Sequence, residues 1–135
     1  MRLFVLCSMI VGIVGCLVAA AVFAADCDST KPNLGKLRHV VIFKFKDGTS
    51  PEKIKEIEDA FRALPSKVPE VLDFEWGTNN SPENHAQGFT HCFFLTFKDA
   101  AARAVYLPHP AHKAFGKLLH PYLEKAMVID YVAED

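Results

Sequence analysis

LRHVVIFKF, residues 37 to 45, decides the fold. It is rich in β-branched and aromatic residues and alternates with a period of two, the pattern of a strand. His39, Val41, Phe43 and Phe45 fall on one face, and Arg38, Val40, Ile42 and Lys44 on the other. Both faces are largely apolar, so both need cover. Helices further along the chain supply one cover, and the second has to come from elsewhere.

KDGTSP, just downstream, is a turn and a helix start. Thr49 or Ser50 can cap, Pro51 suits the first helical position, and Glu52 sits well at the positive end of the dipole. Ile54, Ile57, Phe61 and Leu64 then form one apolar stripe, which Pro65 and Pro69 bring to an end. VLDFEWG reads as a second strand, with Leu72, Phe74 and Trp76 on one face and Val71, Asp73 and Glu75 on the other. Residues 79–88 are a polar loop. GFTHCFFLTF (88–97) is a third strand presenting Phe89, His91, Phe93, Leu95 and Phe97 together. KDAAARAVYL (98–107) is a short helix, KAFGKLLHPYLEKA (113–126) a further helical segment interrupted by Pro121, and MVIDYV (127–132) the closing strand.

The order β-α-β-β-α-α-β predicts an α+β, ferredoxin-like protomer with helices over one face of an antiparallel sheet. Val40, Ile42, Val71, Cys92, Phe94, Val128 and Val132 are expected on the opposite face. No chain remains to cover it, and an apolar face of that size calls for a second copy. The expected assembly is a homodimer whose sheets face each other.

The chain has 135 residues, of which 1–25 stand apart. Arg2 precedes an uncharged apolar run that ends on small residues, with Val22 and Ala24 at the −3 and −1 positions of a cleavage site. That is the anatomy of a secretory signal peptide, and it implies an exported (periplasmic or secreted) protein. Two alternatives stay open: an uncleaved membrane anchor, and a lipobox at Ile13–Cys16 with Cys16 lipidated. Residues 26–36, polar with Pro32 and Gly35, are a linker, and 37–135 form one domain. Charge is near balance, 15 basic against 16 acidic residues, with no basic run, so nucleic acid is not an expected partner. Contact with a membrane is expected only through residues 1–25. Cys27 and Cys92 remain outside the leader; a free buried thiol at Cys92 is favoured over a disulfide between them.

Four segments in order, HVVIFKFKDG, FEWG, GFTHCFFLTF and YLPHPAHKAF, resemble the stress-responsive dimeric α/β-barrel (Dabb) family over about residues 37–132. The resemblance implies a ferredoxin-like protomer that pairs with its twin into a barrel, in some members within larger assemblies. Most members have no assigned activity. One group, the plant olivetolic acid cyclase, closes a linear polyketide thioester by an aldol-type condensation. Its pocket tyrosine and catalytic histidine correspond to Tyr106 and His112, and two further pocket histidines correspond to His39 and His91.

The residues alone point the same way. Pro110 as first helical residue makes His109 the cap, and His112, Phe115 and Leu119 follow on the inward stripe. His39 and His91 lie on the helix-facing sides of their strands. Three histidines from separate elements are therefore expected to share one polar pocket with Tyr106, walled by Phe89, Trp76 and Phe115. An imidazole beside a phenol could abstract a proton next to a carbonyl and stabilise the enolate. The alternative is a set of hydrogen-bonded core histidines without chemistry. His85 is expected to be solvated and His120 to mark a kink. No carboxylate or cysteine accompanies His109 and His112, and no phosphate loop or nucleophile elbow occurs, so neither metal nor cofactor is expected. Binding of a small apolar or carbonyl-containing molecule is the leading expectation. A lyase- or cyclase-like enzyme, with His112 as base and Tyr106 as hydrogen-bond donor, is the alternative. A haem- or oxygen-dependent reaction stands behind both.

Overall fold

The structure, a computed structural model, describes residues 34–134. The leader 1–25, its cleavage or lipidation, and Cys27 lie outside the described residues. The elements are β1 (Leu37–Phe45), α1 (Pro51–Arg62), β2 (Val71–Thr78), β3 (His91–Phe97), α2 (Ala100–Tyr106), α3 (Pro110–Leu119) and β4 (Leu123–Val132). The strands form one antiparallel sheet in the order β2-β3-β1-β4, and the helices lie on one face: a ferredoxin-like protomer. Among the described residues no helix is long and apolar enough to cross a membrane.

The caps follow the local chemistry. The Ser50 hydroxyl accepts from the Lys53 N–H, with Pro51 opening α1. Asp99 caps α2 through Ala102 N–H at 2.9 Å, and the His109 ring accepts from Ala111 N–H at 3.2 Å to start α3. The core between helices and sheet is aromatic. Phe43, Phe61, Phe93, Phe97 and Tyr106 are fully buried with Ile57, Leu64, Val68 and Leu95. Phe61 stacks on Phe93 with ring centroids 4.2 Å apart and packs against Phe115 at 4.6 Å, which makes a wall across the core.

Four expectations are corrected. First, α3 stops at Leu119, and residues 123–126 are strand. Pro121 offers no N–H to continue the helix, and LEKA pairs instead with Phe45, Lys44 and Phe43 of β1. Second, β3 begins at His91, leaving Phe89 and Thr90 in the preceding loop. Third, a bulge between Val71 and Asp73 turns Leu72 out to solvent and Val71 into the core. Fourth, Val128 and Val132 stand opposite Val41 and Leu37, so with Val71 they belong to the helix side. The open face consists of Val40, Ile42, Cys92, Phe94, Met127, Ile129 and Tyr131. Cys92 lies there with its thiol exposed, not buried.

Candidate functional site

β1, β4, α2 and α3 surround a cavity of about 580 Å³, bordered by His39, Tyr106, His112, Phe115 and Asp130. Tyr106 ends α2, and its ring is fully buried. The His112 ring lies 4.4 Å from it, centroid to centroid, and the His39 ring 6.0 Å from it. The turn between α2 and α3 explains the first contact. Tyr106 O accepts from His109 N–H, which folds the chain back and sets the first turn of α3 against the end of α2.

The hydrogen bonds fix the tautomers. His112 Nδ1 is 2.9 Å from the carbonyl oxygen of Leu107. A carbonyl only accepts, so Nδ1 carries the hydrogen and Nε2 keeps its lone pair. His39 Nδ1 is 2.6 Å from Asp130 Oδ1, and a carboxylate fixes the same tautomer. Asp130 Oδ2 in turn receives Arg103 Nη1 at 2.7 Å. The cavity thus holds two imidazoles with the same basic nitrogen available, one backed by a neutral carbonyl and the other by a neutralised carboxylate.

The Tyr106 hydroxyl is buried and has no hydrogen-bond partner among the described residues. Burial pushes its pKa well above the ordinary phenol value, so it stays a protonated donor at neutral pH. An unpartnered buried hydroxyl is costly in a core, whereas a ligand oxygen would satisfy it.

The structure does not bring all the expected residues together. His39, Tyr106, His112 and Phe115 share the cavity; His91, Phe89 and Trp76 do not border it. The Phe61–Phe93–Phe115 wall explains the separation, because the His91 ring lies along Phe93, away from Tyr106. His91 instead packs edge-on to Phe45 at 5.0 Å, lies parallel to Trp76 at 6.5 Å, and bonds Glu58. Phe89 borders a second depression with it. Asp130 and Arg103 went unnoticed in the sequence. Their signal was the pairing of MVIDYV with β1, which sets Asp130 opposite His39. Among the described residues no cluster of three metal-ligating side chains occurs.

Residues 37–133 match the family profile described as the stress responsive A/B barrel domain. The stress-response A/B barrel domain-containing protein HS1 of Arabidopsis thaliana is 42% identical over 97 residues, 72% of this chain and 89% of that protein. Olivetolic acid cyclase of Cannabis sativa is 30% identical over 95 residues, 70% of this chain and 94% of that protein. The solved structure of the hydroxynitrile lyase from Passiflora edulis superposes with a TM-score of 0.71 at 30% identity, covering 77% of this chain and 97% of that one. A Bacteroides fragilis protein described as dimeric with a ferredoxin-like fold reaches a TM-score of 0.61 at 27% identity over 73% of this chain and 96% of its own.

Proposed function

Because the chain belongs to the stress-responsive A/B barrel domain family, we propose that it is an exported homodimer that binds a small carbonyl-containing molecule between α2, α3 and the sheet. Residues 1–25 direct its export. The open face of Val40, Ile42, Phe94, Met127, Ile129 and Tyr131 is the dimer contact. Met127, Ile129 and Tyr131 are each at least 40% exposed in a single copy, and a related fold is described as dimeric.

One observation carries the ligand reading: among the described residues the buried Tyr106 hydroxyl has no partner, and it lies beside His112, whose Nδ1 hydrogen goes to Leu107 O and leaves Nε2 as the basic nitrogen. A carbonyl oxygen accepts from the hydroxyl, and the apolar walls of Val41, Phe43 and Phe115 take the carbon skeleton.

The same observation favours a second reading, proton transfer of the lyase or cyclase kind. His112 Nε2 removes a proton from the carbon next to the carbonyl, and Tyr106 donates to the oxygen as negative charge develops there. Two relatives, each 30% identical, carry the names of a cyclase and a lyase. Export argues against thioester polyketides as substrates, since these are made and used in the cytoplasm; a free ketone, aldehyde or cyanohydrin fits better.

NMR of the purified domain with cyclohexanone in D2O tests both readings at once. Binding predicts saturable shifts of the His112 and His39 ring protons with His85 unmoved. Catalysis predicts accelerated deuteration next to the carbonyl, about 100-fold slower in His112→Ala. Absence of any saturable shift contradicts the first reading, and equal exchange with and without His112 contradicts the second.

A further inference from the structure

A second set of polar groups is joined end to end on the far side of the phenylalanine wall. Glu58 Oε1, on α1, lies 3.0 Å from His91 Nε2. The carboxylate accepts, so Nε2 carries the hydrogen and Nδ1 is left with its lone pair. Thr90 Oγ1 is 2.7 Å from that Nδ1, and its hydroxyl therefore donates to it. The His91 ring is buried between Phe45 and Trp76, which hold it in place. Thr90 itself is exposed. Carboxylate, imidazole and hydroxyl thus stand in the order that activates a hydroxyl as a nucleophile, with the imidazole nitrogens in exchanged roles.

The hydroxyl opens onto a separate cavity of about 490 Å³, bordered by Thr78, Asn79, His85, Gln87 and Phe89. Asn79 Oδ1 accepts from Ser81 N–H at 3.0 Å, which leaves the Nδ2 amide as a donor for a ligand oxygen. The loop takes left-handed backbone at three positions, costly only at Gln87. Asn84 and Gln87 have φ of 59° and 50°, and Gly88, at φ 84°, passes so near Lys44 that a Cβ would lie 2.6 Å from Cε. Ile42, Cys92 and Met127 also border this cavity.

We propose that Thr90, activated by His91 and Glu58, is an acyl-accepting nucleophile for small esters. The Thr90 hydroxyl proton passes to His91 Nδ1 as Oγ1 bonds the ester carbonyl carbon. Glu58 stabilises the imidazolium so formed, and the Asn79 amide donates to the oxyanion. The ester C–O bond then breaks, and Nδ1 returns the proton to the departing alcohol. Water, deprotonated by the same nitrogen, attacks the acyl carbon, the acyl–Oγ1 bond breaks, and Nδ1 returns the proton to Thr90 Oγ1 as the acid leaves.

The test is p-nitrophenyl acetate with the purified protein, following p-nitrophenolate release and peptide mass. Expected are an acetyl group on Thr90 and a release rate about 100-fold lower in Thr90→Val and in Glu58→Gln. Thr90→Ser should regain the adduct that Thr90→Val loses. Thermal melts of the variants separate loss of the nucleophile from loss of the fold. Acetyl groups on lysines alone, or release in folded Thr90→Val within about twofold of wild type, overturn the proposal.

Discussion

Replacing Phe61 by alanine is expected to remove about 3–5 kcal/mol of stability. The side chain is 2% exposed and touches four other phenylalanines: Phe93 at 4.2 Å, Phe115 at 4.6 Å, Phe74 at 5.6 Å and Phe43 at 6.0 Å. Removing it forfeits the transfer energy of the ring and leaves a cavity that four stiff aromatic neighbours cannot fill. A domain of this size has roughly 5–15 kcal/mol in total, so the variant should melt more than about 10 °C lower. Chemical denaturation checks it. A loss below about 1 kcal/mol would mean that the wall is not packed as described.

Ile129→Asp should convert a dimer into a monomer. Ile129 is 47% exposed and lies opposite Val40, on the edge strand β4, between Met127 and Tyr131 on the open face. In a two-fold assembly the substitution places two carboxylates in the buried contact at once. At about 2 kcal/mol or more each, they weaken association by roughly a thousandfold. The folded protomer is left untouched, because the residue points away from the helices. Sedimentation at micromolar concentration should show wild type as a dimer and the variant as a folded monomer. A monomeric wild type contradicts the dimer.

Much of this was legible in the sequence, and what was not has physical reasons. The alternation of β1, the Ile54–Ile57–Phe61–Leu64 stripe and the His109 cap are local patterns, and local patterns survive folding. Side-chain parity in β4 and at the start of β2 is not local. It depends on a bulge that skips Leu72 and on the register that sets Val128 opposite Val41. The histidines illustrate the same limit. Helix and strand periodicity put His39, His91 and His112 on the same side of the sheet, and all three lie there. Only the packed rings of Phe61, Phe93 and Phe115 decide that His91 answers to Glu58 and Thr90, while His39 answers to Asp130 and Arg103. Neither Glu58 nor Asp130 carries a motif, because each gains its role from the residue that folding sets opposite it.

The central claim is that the cavity beside Tyr106 and His112 holds a small molecule. The most direct measurement is a native mass spectrum of the protein, purified without denaturation, beside that of His112→Ala. The expected wild-type spectrum shows a dimer carrying up to one additional small mass per protomer, released on activation and absent from the variant. A wild-type spectrum of bare protein, or an additional mass equally present without His112, contradicts the claim.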